Sequence, residues 1–377
     1  MTSKRLKDKK VPNLRFPGFE EEWETKKLGE VATNVMYGMN AAATNYDGEN
    51  QYIRITDIDE QTRLFCPNPL SSPDGELDNK YLLHKGDILF ARTGASVGKS
   101  YLYNDKDGKV YFAGFLIRLN VRAEDPYFIF SQTLTEKYQR WVVTMSMRSG
   151  QPGINAEEYK LLPIVTPSIQ EQEKISSFLL LIDERIQAQN KIIEELEQLI
   201  KGLCINLILK KVPNTKLNQC VICNTSSLTE SEVINQKGTH PVYGATGIIS
   251  YTADYQIDKD AILIIKDGSG VGKVQYATNK FSVIGTLNYL TIKSQVNLRY
   301  ILYSLKFFNF EKYKVGSGIP HIYFKDYGEA LIYCPSLAEQ YKIEGLLSSI
   351  DKKIEIEKQN LNQLNLQKQF LLKELII

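Results

Sequence analysis

The stretch Pro167-Ser168-Ile169-Gln170-Glu171-Gln172 recurs almost residue for residue as Pro335-Ser336-Leu337-Ala338-Glu339-Gln340. In each copy a serine precedes a glutamate by three residues, which is the pattern of a capping box at a helix N-terminus. Apolar residues follow each copy at helical spacing, and no proline interrupts the first run before Pro213 or the second run at all. The sequence therefore predicts two long helices that begin alike, the first about 40 residues and about 60 Å long.

Each predicted helix needs a partner of similar length, because a single helix of this kind cannot bury its apolar stripe alone. Ile182-Asp183 and Ile350-Asp351 occupy the same register in the two helices, 168 positions apart. Two unrelated surface helices that happen to start alike are the alternative, but the cap, the proline and the apolar register all coincide. We therefore expect an internal duplication in which the two helices pair as a coiled coil.

The composition is that of a globular protein with room for more than one core. A chain of 377 residues allows two or three domains. Lys and Arg total 46 against 44 Asp and Glu, which counts against a charge-driven, non-specific nucleic-acid binder and still allows local basic residues. Five scattered cysteines form no disulfide framework, so we expect a reducing cytoplasm. No apolar run is long enough for a membrane span or a secretion signal.

The remaining sequence repeats the same order of elements in each half. Strand-like runs at Asp87–Ala91 and Ala261–Ile265 are each followed by glycines, and helices are predicted to start at Pro126 and Leu298. A glycine-rich loop then leads into each long helix. The predicted boundaries are a basic tail at 1–11, a globular domain at 12–167, a helix at 168–211, a second globular domain at 212–335 and a helix at 336–377.

The segment Gly94-Ala95-Ser96-Val97-Gly98-Lys99-Ser100 resembles a phosphate-binding loop at first sight. Only three residues separate its glycines, and the sequence after Lys99 alternates like a strand, whereas a phosphate-binding loop opens a helix. We interpret it as a tight loop between two strands, with an exposed Lys99 that could reach a DNA phosphate. Gly268 to Lys273 repeats the pattern in the second half.

No catalytic or metal-binding constellation is predicted. Cys220-Val221-Ile222-Cys223 is a lone pair, whereas a structural zinc site needs four ligands, so we interpret it as a core strand. Asp74 and Asp78 lie in a turn-like segment and are too close in sequence to form a nuclease site on two strands. No Ser/His/Asp or Cys/His set has local support.

Polar side chains of the two glycine-rich loops and of the neighbouring turns are instead candidates for contact with DNA. Arg pairs with guanine and Gln with adenine in the major groove, each good bidentate pair contributing roughly 1–3 kcal/mol of discrimination. A purely structural turn is an equally open interpretation for any one of these residues. The candidates are Arg92, Ser96, Lys99, Arg148, Ser149, Gln151, Tyr243, Thr246, Lys266, Lys273, Lys314, Ser317 and His321.

Several short motifs, in this order and duplicated, resemble the specificity (S) subunit of a type I restriction–modification system. The resemblance covers nearly the whole chain. The motifs are Leu14-Arg15-Phe16-Pro17-Gly18-Phe19 with Trp23, Lys27-Leu28-Gly29-Glu30, Gly86-Asp87-Ile88-Leu89 with Gly94, Gly98 and Lys99, Pro241-Val242-Tyr243-Gly244-Ala245-Thr246-Gly247, and the paired helix openings at Pro167 and Pro335. The second half departs from this pattern, since Lys216-Leu217-Asn218-Gln219 only approximates its counterpart in the first half.

The resemblance implies an α/β (α+β) fold with two target-recognition domains of mixed sheet, separated by two long antiparallel helices. Each domain would read half of a split sequence in double-stranded DNA. The helices would set the gap and dock two methyltransferase (M) subunits, which bind S-adenosylmethionine and methylate adenine; a restriction (R) subunit that uses ATP and Mg²⁺ can join. The chain itself would be non-catalytic and need no cofactor. Apolar helix residues expected to serve docking are Ile182, Ile186, Ile193, Leu196, Ile350, Ile354, Leu361 and Leu364.

Two other functions remain open at this point. One is a non-catalytic coiled-coil scaffold with peptide- or glycan-binding end domains, and the other is a nucleotide hydrolase that uses Lys99. Binding to duplex DNA separates the first interpretation from the scaffold, and ATP turnover by the purified chain separates it from the hydrolase.

Overall fold

The computed structural model describes residues 11–147, 151–293 and 295–376. It divides into two compact units. Unit 1 comprises the chain up to Ala188 together with the residues from Leu361 onward, and unit 2 comprises Gln189–Asn360. Among the described residues, no helix combines the length and the apolar character that a membrane crossing requires.

Unit 1 is built on a four-stranded antiparallel sheet and smaller strand pairs. Its strands are β1 (Glu24–Lys27), β2 (Ala32–Tyr37), β3 (Ala43–Asn45), β4 (Gln51–Ile53), β5 (Ser71–Pro73), β6 (Asp87–Ala91), β7 (Ser100–Leu102), β8 (Val110–Phe112), β9 (Leu116–Val121) and β10 (Pro163–Thr166). Its helices are α1 (Leu28–Val31), α2 (Pro126–Gln132), α3 (Glu136–Ser146), α4 (Ala156–Lys160) and the first part of α5 (Ile169–Cys204).

Unit 2 repeats the plan with its own strands and helices. The strands are β11 (Thr215–Lys216), β12 (Val221–Thr225), β13 (His240–Gly244), β14 (Gly247–Thr252), β15 (Ala261–Ile265), β16 (Val274–Ala277), β17 (Ser282–Val283), β18 (Leu287–Ile292) and β19 (Leu331–Ile332). The helices are α6 (Leu217–Cys220), α7 (Glu230–Val233), α8 (Leu298–Lys306), α9 (Phe324–Tyr327) and α10 (Leu337–Leu375), whose last part belongs to unit 1.

The sheets of the two units have the same topology. The main sheet has the order β2-β9-β6-β7 in unit 1 and β12-β18-β15-β16 in unit 2. Register agrees as well, because Ile88 of β6 pairs with Leu119 and Ile262 of β15 pairs with Leu290. Strands β6 and β15 are buried along their whole length, as the apolar runs 88–91 and 261–265 predict. The internal duplication is thus visible in the fold, and the expected α/β class is confirmed.

A helix does start at Pro126 as predicted, but the region is divided between two helices, α2 and α3. Thr133 and Thr135 separate them. The Thr133 hydroxyl donates to the Phe130 carbonyl oxygen over 2.6 Å, and the Thr135 hydroxyl accepts from the backbone amide of Tyr138 as the cap of α3. Threonine side chains compete for backbone hydrogen bonds in this way and therefore favour helix ends.

A buried glutamine ties the start of each long helix to the preceding domain. The Gln172 side-chain oxygen accepts from the Asp125 backbone amide over 3.0 Å, and its amide donates to the Pro167 carbonyl oxygen over 2.9 Å. Gln340 makes the same two bonds, from the Asn297 amide over 2.9 Å and to the Pro335 carbonyl oxygen over 2.8 Å. The glutamine of the repeated motif thus joins two helix N-termini, because Asp125 and Asn297 cap α2 and α8.

A second tie lies three turns further along each long helix. The Tyr127 hydroxyl donates to the Asp183 carboxylate over 2.5 Å, and the Tyr303 hydroxyl donates to the Asp351 carboxylate over 2.8 Å. Burial raises the pKa of both tyrosines, so each remains a donor at neutral pH.

Two residues of the N-terminal motif of unit 1, Arg15 and Phe16, attach the entering chain to helix α5. Arg15 makes a bidentate ion pair with Glu171, which is 1% exposed, at 2.7 and 2.8 Å. The Phe16 ring packs edge-on against Phe178, as expected for aromatic residues that fix the entering chain. Arg15 therefore neutralises a carboxylate that the first turn of α5 buries.

The long helices pair in antiparallel directions. In unit 2, Gln189 donates to the Glu357 carboxylate over 2.7 Å, whereas Cys204, later in α5, lies near Asp351, which is earlier in α10. In unit 1, Lys368 pairs with Asp183 at 2.5 Å. α5 and α10 contain 36 and 39 residues, and a π-helical segment at Ile205–Leu209 extends α5.

The residues expected to dock partner subunits lie largely inside this pairing, so that expectation is corrected. Ile182, Ile186, Ile193 and Ile354 are buried, and Leu196, Ile350, Leu361 and Leu364 are half-buried. Leu361 and Leu364 pack against the core of unit 1. Where two helices of one chain pack together, their apolar faces are buried against each other. Only the outward faces then remain accessible to a partner subunit.

Replacement of Gln172 tests the tie at the start of α5. In Gln172→Ala the Asp125 amide and the Pro167 carbonyl lose a buried partner, so we expect the free energy of unfolding to fall by about 1–3 kcal/mol. Gln170→Ala, an exposed position in the same helical turn, is the matched control and should change it by less than about 0.5 kcal/mol. Urea denaturation of the full chain measures both variants, and equal effects would contradict the assigned role.

Candidate nucleic-acid interface

In each unit the central strand ends in a tight loop that is bonded to the glycine-rich loop preceding the long helix. In unit 1 the Gly94 amide donates to the Pro152 carbonyl over 3.1 Å, and the Ile154 amide donates to the Arg92 carbonyl over 2.9 Å. In unit 2 the same joints run from Gly268 to Pro320 over 3.0 Å and from Ile322 to Lys266 over 2.9 Å. The two units therefore carry one loop pair in two copies, here called the reading loops: 92–99 with 151–154, and 266–273 with 315–322.

The glycines of the strand loops are required by packing. Gly98 has φ +84°, and a Cβ added to it would lie 2.6 Å from the Val142 side chain. Gly272 has φ +87°, and a Cβ there would lie 2.7 Å from Phe310. Loop 92–99 continues into strand β7 and opens no helix, which confirms the interpretation as a strand-to-strand loop. A phosphate-binding loop leads into a helix whose N-terminus holds the phosphates, whereas this loop leads into a strand.

Lys99 does not have the exposed position expected of it. Its side chain is only 8% exposed, its ammonium donates to the Ile58 carbonyl over 3.1 Å, and it lies 2.7 Å from the Glu60 carboxylate. The expectation of an exposed lysine is therefore wrong, because a segment some 40 positions earlier in the chain folds over it. Its repeat counterpart Lys273 is exposed and remains a candidate for contact with DNA.

Arg92 occupies the most distinctive position among the predicted contacts. Its guanidinium carbon lies 5.0 Å from the centre of the Tyr37 ring and 5.7 Å from that of the Phe115 ring. Tyr37 and Phe115 are 40% and 60% exposed, so both rings are accessible from solvent. Sequence reasoning missed both. The signal available for Phe115 was its place in a tight turn, Gly114-Phe115, between two strands.

The other predicted contacts of unit 1 lie beside Arg92 on the same reading loops. Ser96 is half-buried in the strand loop, and Gln151 is exposed in the glycine-rich loop next to Gly94. Arg148 and Ser149 lie outside the described residues. The fold thus brings Arg92, Ser96 and Gln151 to one face of unit 1.

Unit 2 presents an open cleft of about 970 Å³ beside its strand loop. Thr246, Lys273 and Lys314 line it, together with Phe308 and Asn309. Lys314 also pairs with Glu311 at 2.6 Å, which reduces its availability to a phosphate.

The remaining candidates of unit 2 are divided between core and surface. Tyr243 packs edge-on against Phe281 and belongs partly to the core, whereas Ser317 is exposed in the glycine-rich loop. His321 is oriented by Asp267, whose carboxylate lies 2.7 Å from Nδ1 of the imidazole. Lys266 donates to the Thr225 hydroxyl over 3.0 Å.

Among the described residues, no group of three His, Cys, Asp or Glu side chains is arranged to hold a metal ion. The segment 220–223 is only in part the predicted core strand, since Cys220 ends helix α6 and Ile222 of strand β12 is 47% exposed. Burial raises the pKa of the Cys223 thiol to about 11. Cys220 faces Cys334 instead, with 3.8 Å between the sulfur atoms. The thiol of Cys220 donates to Cys334 and lowers the pKa of the latter to about 7.

A family model described as "Type I restriction modification DNA specificity domain" matches residues 20–198 and 216–366. The chain belongs to this family, in two copies of the domain, and the resemblance inferred from its motifs is confirmed. The two matched segments each contain one set of reading loops.

Relatives and a solved structure agree with this assignment. The MjaX specificity subunit of a type I restriction enzyme from Methanocaldococcus jannaschii is 27% identical over 201 residues, which are 51% of this chain and 47% of that protein, so the match spans about half of it. The MjaVIII specificity subunit from the same organism is 22% identical over 94% of this chain and 92% of its own length. The S subunit of a type I system from M. genitalium shares the fold, with a TM-score of 0.67, 18% identity and coverage of 97% and 99%.

The contrast between Lys99 and Lys273 can be tested by stability. Lys99→Ala leaves the Ile58 carbonyl without its donor, so we expect a loss of about 1–3 kcal/mol in the free energy of unfolding. Lys273→Ala is the matched control at the exposed counterpart and should stay within about 0.5 kcal/mol. Thermal and urea unfolding of the full chain measure both. A stable Lys99→Ala chain would show that this lysine is not a packing residue.

Proposed function

We propose that this chain is the DNA sequence-recognition and scaffold subunit of a type I restriction–modification complex, in which each unit reads one half of a bipartite target. The observation that carries this proposal is the duplicated pair of reading loops. Identical backbone joints hold both copies, while the side chains presented differ, with Arg92 and Gln151 in one copy and Lys266 and His321 in the other. One scaffold with two sets of polar side chains suits the reading of two different half-sites.

The nearly neutral charge of the chain is compatible with recognition of DNA bases by a few side chains. Its net charge is only +2, so non-specific attraction to phosphates is weak and a few well-placed side chains must supply the discrimination. Arg, Lys, Gln and Ser of the reading loops have the donors and acceptors that match base edges in the major groove. Partner subunits would supply further phosphate contacts.

The long helices would set the gap between the half-sites. At 1.5 Å per residue, α5 and α10 are about 54 and about 58 Å long, and one turn of duplex DNA is about 34 Å. Covalent linkage of two readers also makes the second contact intramolecular, so two weak readers can give tight binding.

Methyltransferase subunits would dock on the outward apolar side chains of the helices. In unit 1, Leu181 is 59% exposed on α5, and Leu366 and Phe370 are 50% and 58% exposed on α10. A groove of about 620 Å³ lies beside Leu366 and Phe370, with Thr135 and Arg140 on its other wall. Exposed apolar side chains at this density are typical of an interaction surface.

The chemistry of the complex would belong to the partners. Two methyltransferase subunits would bind S-adenosylmethionine and methylate adenine, and a restriction subunit would use ATP and Mg²⁺. The chain would then act in the cytoplasm as a non-catalytic subunit that needs no cofactor of its own.

Methylome sequencing tests the function and the gap together. The chain is expressed with its methyltransferase in a host without type I systems, and we expect one bipartite methylated adenine motif that disappears when the chain is omitted. Deletion of seven residues from the middle of both α5 and α10 removes two turns, about 10 Å, and nearly preserves the helix faces. We expect the same half-sites with a shorter gap.

These outcomes separate the two parts of the proposal. Absence of any bipartite motif with the intact chain would contradict DNA recognition. An unchanged gap in the shortened chain would contradict only the role of the helices.

The docking surface is tested by the double variant Leu366→Asp/Phe370→Asp. Two carboxylates in place of an aromatic and an aliphatic anchor should weaken association with the methyltransferase by about tenfold or more. Gln367→Asp, exposed on the same helix outside the groove, is the matched control and should bind normally. Analytical ultracentrifugation of the mixed subunits measures the affinity, and an unaffected double variant would place docking elsewhere.

A further inference from the structure

The Arg92 guanidinium lies close to two aromatic rings at the edge of the reading loops of unit 1. Its centre lies 5.0 Å from the Tyr37 ring and 5.7 Å from the Phe115 ring. Contact with aromatic rings favours a guanidinium over an ammonium, and the N–H groups along the guanidinium edge can form a bidentate pair with O6 and N7 of guanine. We propose that Arg92 reads one guanine in the half-site of unit 1 and that Tyr37 and Phe115 are its positioning residues. This inference rests on the proposed function.

The surroundings of Arg92 fix both its backbone and its rings. The Arg92 amide donates to the Phe115 carbonyl over 3.1 Å, and the Arg92 carbonyl accepts from Ile154 over 2.9 Å. The Tyr37 hydroxyl accepts from the Ala156 amide over 3.2 Å, so the first ring is anchored to the start of α4. A side chain that is already ordered loses little conformational freedom when it meets a base.

Arg92 also lacks the partners that would make it a purely structural residue. Within the described residues its guanidinium has no ion pair and no hydrogen bond, and its Nε is buried without an acceptor. Arg118, which is buried in strand β9 of the main sheet, instead donates to the Leu82 carbonyl over 3.1 Å and lies 3.8 Å from Asp87. A guanidinium that has no acceptor within the described residues, and that lies beside exposed rings, can donate to an external partner through its terminal N–H groups.

Unit 2 supplies an internal comparison at the same place in the fold. Lys266 has the backbone bonds of Arg92, from its amide to Thr286 over 3.0 Å and from Ile322 to its carbonyl over 2.9 Å. Threonines replace both rings, since Thr225 is paired in the sheet as Tyr37 is and Thr286 takes the place of Phe115. Lys266 bonds to Thr225 and carries a point charge without a planar fork. The bidentate reading of guanine is therefore assigned to unit 1 alone.

The experiment measures binding of the full chain, with its methyltransferase, to duplexes of the target in which guanines are replaced one at a time. 7-Deazaguanine removes the N7 acceptor, whereas inosine keeps the major-groove edge and serves as the matched control base. At one guanine of one half-site we expect 7-deazaguanine, and not inosine, to weaken wild-type binding by about 5- to 150-fold. Arg92→Lys should lose this difference at that position only.

Variants of the rings and of the second unit complete the test. Tyr37→Leu and Phe115→Leu should reduce discrimination at the same guanine while Arg92 is intact, and Lys266→Ala should leave discrimination there unchanged. Full discrimination by Arg92→Lys at every guanine, or a target whose half-sites contain no such guanine, would overturn the inference while DNA recognition stands. If the wild-type chain selects no bipartite target, the result contradicts the proposed function and not only the role of Arg92.

Discussion

The side-chain amide of a buried glutamine fixes how each long helix leaves its domain. Gln172 is fully buried and Gln340 is 1% exposed, and each satisfies a proline carbonyl behind it and the N-cap amide of a domain helix beside it. An alternative side chain would leave a buried donor and a buried acceptor unpaired. The tyrosine–aspartate bond three turns later adds a second point of attachment, and two separated attachments define a direction as well as a position.

The supporting fold is the same in the two units, whereas the side chains on the reading loops differ. The helix openings, the sheet topology and the backbone joints of the reading loops agree between the two units, whereas the side chains on the loops do not. Rigid support from strands keeps loop side chains in place, so their identity can change without disturbing the core. In a protein built in this way, residues on the loops can be exchanged without a change in the supporting fold.

Local patterns predicted much of this architecture from the sequence. The glutamine motif, the apolar run 88–91 and the glycines of the loop that follows it are each recognisable within a few residues, and the fold agrees with them. Contacts between distant segments carry no such local signal. The burial of Lys99 depends on Ile58 and Glu60, which the sequence alone does not bring near it.

The aromatic rings and the helix faces illustrate the same limit. Tyr37 and Arg92 meet because β2 and β6 flank β9 in one sheet, which only the strand order reveals. The apolar stripe of α5 and its pairing with the C-terminal helix were predicted correctly, whereas residues also expected to dock a partner subunit, such as Ile186, pack within the chain. The apolar periodicity of a helix predicts that one of its faces is buried. It does not identify the helix or subunit that packs against that face.

The bond between Gln189 and Glu357 joins two positions that are counterparts in the duplication. Had both copies kept a glutamate there, a carboxylate would have faced its own duplicate and repelled it; two glutamines would have bonded reciprocally. The present amide–carboxylate couple is favourable only when the two copies differ. The two halves are therefore complementary at this contact, whereas two copies of the half that carries Glu357 would place like charges against each other here.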